Sequence, residues 1–92
     1  MKNIIRRHFI FRGNVQGVGF RYRAYYEAAK LGISGWVRNL YDGTVEMEAQ
    51  GEEEKIHALV WAIDQSRPIR IEGIDSLDIP LKKEENKFRM LN

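Results

Sequence analysis

Apolar and polar residues alternate over positions 4–12, with Phe9 and Phe11 on one side, which is the two-residue period of a strand with a single buried face. The period then changes. Phe20, Ala24, Ala28 and Leu31 recur at helical spacing, so a helix is predicted over about 21–31, with Gly32 as its stop. A second strand is predicted over 35–40, and Tyr41-Asp42-Gly43 is a hairpin signal. Positions 44–49 alternate so that Val45, Met47 and Ala49 share a buried side, and Gly51 is expected to end that strand. A second helix over 52–65 has acids in its first turn and Ile56, Leu59, Val60 and Ile63 along one face; Pro68 closes it. The strand pattern of 69–79 slips near Gly73, predicting a bulge there, and Pro80 ends it. Positions 82–86 form a charged turn, and 87–91 a short closing strand.

Strand, helix, strand, strand, helix, strand is the order of the split βαβ unit. The predicted fold is therefore α+β, a ferredoxin-like βαββαβ sandwich with two helices packed on one face of an antiparallel sheet. No repeat, linker or low-complexity segment interrupts the 92 residues, which are expected to form one domain, 1–92, with a modest core. Many unrelated activities use this architecture, so function has to come from particular residues.

Charge and composition narrow the classes. The net charge of +2 and pI near 9.0 are far from the strong positive bias of a general nucleic-acid binder. Its distribution is uneven: Lys2, Arg6, Arg7, Arg12, Arg21 and Arg23 all precede the first acid, Glu27, which predicts a positive field in the N-terminal third. The absence of cysteine excludes disulfides, thiolate metal sites and cysteine-nucleophile phosphatases. No His, Cys or carboxylate cluster has metal-ligand spacing, so no metal is expected. Arginines interrupt the N-terminus before an apolar run reaches signal length, and nothing approaches a membrane span, which predicts a cytoplasmic protein.

The segment Gly13-Asn14-Val15-Gln16-Gly17-Val18-Gly19-Phe20-Arg21 joins the first strand to the first helix. A helix start has amides without internal partners and a partial positive charge, so an anion docks there readily. Glycine lets successive N–H groups turn inward and brings the backbone close to a ligand. Arg21 would add a forked, permanently charged guanidinium, in a place where the dipole disfavours a cation unless an anion is near. The plainer alternative is a tight turn with a solvated arginine. No Gly-Lys-Ser/Thr follows, and Gly17-Val18-Gly19 lacks the third glycine of a dinucleotide fingerprint, so neither nucleotide loop fits and no cofactor is expected.

Asn39 stands out in a strand context that disfavours asparagine, although an Asn beside a turn commonly serves only the turn. Taken together, Gly13-x-Val15-Gln16-Gly17-Val18-x-Phe20-Arg21 and Gly35-Trp36-Val37-Arg38-Asn39-x-x-x-Gly43-x-Val45, followed by Gly51, resemble the paired signatures of the acylphosphatase family, and the likeness extends over nearly the whole chain. The resemblance implies a metal-free hydrolase that cleaves acyl phosphates to a carboxylate and inorganic phosphate. It implies that the loop backbone from Asn14 through Val15, Gln16, Gly17, Val18, Gly19 and Phe20 binds the phosphoryl group together with Arg21, that Asn39 positions the attacking water, and that Thr44 is a supporting hydroxyl. Inorganic phosphate or sulfate is then expected as product or inhibitor, with no nucleic-acid or membrane partner and a monomeric state.

Two other readings stay open on residues alone. RNA-recognition modules share this element order, although Thr44, Glu46 and Glu48 on the open face of the third strand would repel a phosphate backbone. A non-catalytic domain that binds acyl or carbamoyl phosphate within a larger protein would carry the same loop; the initial Met and the lack of linkers favour a free-standing enzyme. His8 and His57 lie outside both motifs and read as surface residues, and Trp36, Trp61, Tyr22, Tyr25 and Tyr26 read as core or helix-face packing.

Overall fold

The computed structural model describes residues 3–92. Its elements are β1 (Ile4–Asn14), α1 (Phe20–Leu31), β2 (Ser34–Asn39), β3 (Val45–Glu52), α2 (Glu53–Asp64), β4 (Arg70–Ile79) and β5 (Phe88–Met90). The sheet order is β4-β1-β3-β2-β5. The first four strands form the antiparallel ferredoxin-like sheet the sequence predicts. The closing strand differs: β5 runs parallel to β2, so the complete sheet is mixed. The reason is directional. β4 runs opposite to β1 and β2, and a chain that leaves its end and crosses to the far edge re-enters along the direction of β2.

Alternation decides which face is buried. Phe9 and Phe11 of β1, Val37 of β2 and Val45, Met47 and Ala49 of β3 point to the helices, where they meet Ala24 and Ala28 of α1 and Ile56, Leu59 and Ile63 of α2. Phe11 packs against Phe9 at 5.4 Å and against Phe20 at 4.9 Å between ring centroids, so the first residue of α1 is anchored in the core. Ala24 and Ala28 are the next two inward positions, which turns Tyr22, Tyr25 and Tyr26 outward. These tyrosines, with Trp61 of α2, are exposed helix-face residues and take no part in the core.

The bulge predicted near Gly73 is present. Arg12 pairs with Gly73 but Gly13 pairs with Ile71, leaving Glu72 as the extra residue. Gly13, at φ 132°, lets the strands close up there, since a Cβ would strike Arg70 O and stand 2.8 Å from Glu72 N. As a result β1 runs two residues beyond its predicted end, to Asn14, and delivers the chain into the loop before α1. β3 also exceeds its predicted end. Gly51 stays in the ladder opposite Ile5, packed against Ile33, and the strand stops at Glu52.

On the opposite face Arg6 is fully buried. Its Nε donates to Glu48 Oε1 at 2.8 Å and its Nη1 to Glu85 Oε1 at 2.6 Å, so the charged turn at 82–86 folds over this face. Nη2 also lies 2.8 Å from Glu48 Oε1, an ion pair by distance although no N–H of Nη2 is aimed at an acceptor. A buried guanidinium requires such partners, because an unpaired charge in the interior is strongly destabilising.

Candidate active site

The loop between β1 and α1 is pinned at both ends. Val15 and Phe20 are buried in the core, while Gly17 and Gly19 are exposed between them. Gly17 (φ 71°) and Gly19 (φ 82°) adopt left-handed backbone, and Gly19 is the N-cap of α1. That cap has no side-chain hydrogen bond, and no acid occupies the first turn. Among the described residues, the first backbone amide after the loop with an acceptor is that of Arg23, which donates to Gly19 O at 3.0 Å. The amides from Val15 to Tyr22 therefore form a run of donors at the positive end of a helix. Asn14 stands apart from them. It belongs to β1 opposite Arg70, and its side-chain amide donates to Pro68 O at 3.4 Å.

The expected positive field of the N-terminal third is mostly neutralised. Arg6 pairs with Glu48 and Glu85, Arg7 with Glu53 and Asp78, Arg12 with Asp75, and Arg23 with Glu27. Lys2 lies outside the described residues. Arg21 is the exception: its Nη1 donates to the neutral Leu91 O at 3.2 Å, and among the described residues it has no carboxylate partner. Arg21, in the first turn of α1, thus keeps most of its fork free of acidic partners among the described residues.

Three segments distant in sequence are tied together here. The Gln16 side-chain amide donates to Leu40 O at 2.7 Å and Thr44 O at 2.8 Å, clamping the loop to the base of the β2–β3 hairpin, next to Asn39. Leu91 N–H donates to Val37 O at 2.9 Å, and its carbonyl accepts from Arg21. Asn92 then bonds to the Asn39 backbone on both sides, accepting from its N–H at 3.2 Å and donating to its carbonyl at 3.1 Å. Two adjacent residues, Leu91 and Asn92, thereby touch the guanidinium and the asparagine that the sequence singles out.

Thr44 serves the turn. Its hydroxyl donates to Asp42 Oδ1 at 2.6 Å and its N–H to the same oxygen at 3.0 Å, and these bonds hold the Asp42 carboxyl below its ordinary pKa. Sequence reasoning found Gln16 as part of the backbone cradle but missed its side chain as a clamp, and it missed Leu91 and Asn92 altogether. Gln16 alone carried a signal, being the one long amide among the loop's small and apolar residues.

The acylphosphatase family model matches residues 7–90. This chain belongs to the acylphosphatase family. It is 40% identical over 84 residues to an acylphosphatase of Caldanaerobacter subterraneus subsp. tengcongensis, a match covering 90% of this chain and 93% of that one. An acylphosphatase of Bifidobacterium longum is 53% identical over 58 residues, which span 63% of this chain and 60% of the relative's length. The crystal structure of acylphosphatase from Bacillus subtilis superposes with a TM-score of 0.86 at 32% identity, covering 98% of this chain and all of the other. Acylphosphatase relatives at this level of identity make the chain a hydrolase of that class and share its ferredoxin-like fold.

Proposed function

We propose that this acylphosphatase-family chain hydrolyses the carboxyl–phosphate bond of acyl phosphates with no metal or cofactor. The observation that carries the reading is the run of unpartnered amides from Val15 to Tyr22 at the start of α1, with Arg21 in that run lacking a carboxylate partner among the described residues. Each hydrogen bond to a charged group contributes about 1.5–3 kcal/mol, so a few amides and the Arg21 fork suffice to hold a phosphoryl dianion.

The leaving group explains how so few groups can serve. An acyl phosphate expels a carboxylate, whose conjugate acid has a pKa of about 4, so no proton has to reach the departing oxygen. What remains is positioning and charge stabilisation. Water oxygen attacks phosphorus, the bond from phosphorus to the acyl oxygen breaks, and the carboxylate departs with the bonding pair. Asn39 aims the water with its neutral carboxamide and takes up no proton near pH 7. A phosphate oxygen accepts that proton, which leaves inorganic phosphate as the second product and as an inhibitor that competes for the cradle.

The same reading makes residues 1–92 one catalytic unit acting on a small molecule, as a monomer in the cytoplasm. Among the described residues no helix is long and apolar enough to cross a membrane. On the open face Glu46 is paired with His8 and Arg38 and Glu48 with Arg6, so their charges weigh less against an RNA-binding role than the sequence suggests, and the family match is what favours the hydrolase.

The decisive assay is phosphate release from a synthetic aryl acyl phosphate in excess chelator. Wild-type protein should turn over, Arg21→Ala should lose turnover and phosphate inhibition, and Arg21→Lys should recover little because the fork is gone. Near-normal activity in either variant removes Arg21 from the site, and loss of wild-type activity in chelator refutes the metal-free route.

A further inference from the structure

Asn39 is the last residue of β2, and it lies past the point where β5 supports that strand. The β5 partners of β2 are Gly35, Trp36 and Val37, and the last backbone bond across this edge is Leu91 N–H to Val37 O at 2.9 Å. Beyond it the ladder is continued by a side chain. Asn92 Oδ1 accepts from Asn39 N–H at 3.2 Å, and Asn92 Nδ2 donates to Asn39 O at 3.1 Å. A primary carboxamide offers one donor and one acceptor in a plane, the same pair a peptide in a neighbouring strand would offer. Asn92 adopts a left-handed φ of 36°, a conformation asparagine tolerates better than most residues.

We propose that Asn92 is a positioning residue for the reaction: its carboxamide acts as a surrogate strand that fixes the Asn39 backbone and so aims the Asn39 side chain at the attacking water. The inference rests on the reading of Asn39 given above. Asn92 contacts neither the phosphoryl group nor the water. With both backbone groups of Asn39 held, the direction of its Cα–Cβ bond is set; without Asn92 the strand end frays and the carboxamide samples orientations that place water off line. The geometry also selects the residue type. Aspartate would keep the acceptor for Asn39 N–H but set a charged oxygen against Asn39 O, and alanine would remove both bonds.

The test is a kinetic double-mutant cycle with Asn39→Ala, Asn92→Ala and the double variant, assayed on a synthetic aryl acyl phosphate, with phosphate inhibition and melting temperature measured for each. Asn92→Ala should lower kcat about tenfold, as expected from loss of hydrogen bonding that orients a reacting group, while KM and the phosphate inhibition constant stay near wild type and the melting temperature falls less than in Gln16→Ala, because both lost bonds are exposed and water replaces them. In the Asn39→Ala background the same change should cost nothing further. Asn92→Asp should fall at least as far as Asn92→Ala.

A wild-type kcat in Asn92→Ala, with Asn39→Ala inactive, overturns the proposal and leaves the role of Asn39 intact. An equal proportional loss in both backgrounds overturns it too, since Asn92 would then act independently of Asn39. Full activity in Asn39→Ala instead brings down the reading on which the proposal stands.

Discussion

Gln16→Ala tests whether the cradle and the asparagine are held in one frame by a side chain. The substitution removes two hydrogen bonds, at 2.7 Å to Leu40 O and 2.8 Å to Thr44 O. Neither carbonyl is orphaned by the change: Leu40 O still accepts from Gly43 N–H at 3.2 Å, and Thr44 O from Leu40 N–H at 3.0 Å. The loss is therefore that of two ordinary bonds without a desolvation penalty, about 1–2 kcal/mol in total. For a domain of this size that corresponds to a fall in melting temperature of roughly 5–15 °C. Saturating phosphate should still raise the melting temperature, because the amides of the cradle remain. The rate should fall more than phosphate binding does, since the cradle is no longer locked to the hairpin that ends β2. Thermal unfolding followed by circular dichroism, with and without phosphate, beside kcat on an aryl acyl phosphate, gives all three numbers. A variant that melts with wild type and turns over normally would show that the clamp contributes nothing and would refute the argument.

Three further outcomes are expected. Asn39→Ala should keep the phosphate inhibition constant while losing orders of magnitude in kcat; a large rise in that constant would place the residue in binding instead. Gly19→Ala has open space around the new methyl but a φ of +82°, so it should cost only the left-handed backbone penalty of about 1–2 kcal/mol, whereas Gly35→Ala, whose Cβ would lie 2.8 Å from the Glu48 carbonyl carbon, should fail to fold. Urea midpoints of the two variants check this, and equal stability for the two would refute it. For Glu46, burial pushes the carboxyl upward but hydrogen bonds from His8 and Arg38 outweigh it and hold the pKa below the ordinary value, while the Arg7 hydrogen bond holds Asp78 down. A depressed folded pKa gives stability that is present above the unfolded value and lost as pH falls through the folded one, so the urea midpoint should decline below about pH 4, with a shallower decline in Glu46→Gln. An unchanged slope in that variant would contradict the assignment.

What the chain revealed before the structure was known follows from local rules. Period-two and helical patterns place Phe9, Phe11, Val45, Met47 and Ile56, and the slip at Gly73 marks a real bulge. The glycines of the loop and the position of Arg21 are local signals as well, because a helix start needs nothing distant to define it. The parallel pairing of β5 was not legible, since strand direction depends on where the connection at 80–87 crosses and not on the residues of 88–90. The pairing of Arg6, Arg7 and Arg12 with acids far along the chain was equally hidden, so a cluster that looked positive in sequence is largely neutral in space. Tyr22, Tyr25 and Tyr26 read as core or helix-face residues, and only the placement of Phe20, Ala24 and Ala28 on the inner side of α1 decides for the outer face. Gln16 and Asn92 act through carbonyls and amides of other segments, contacts that residue identity does not announce.

The three-way junction of the β1–α1 loop, the end of β2 and the pair Leu91-Asn92 has a bearing on how the chain regains its native state. The three segments lie far apart in sequence, and β5 pairs with β2 at the edge of the sheet. Chain closure over such separations is the slow part of forming a sheet protein. Catalytic recovery after dilution from denaturant should therefore trail the return of helical ellipticity, which makes turnover a sensitive clock for the final docking of the C-terminal strand.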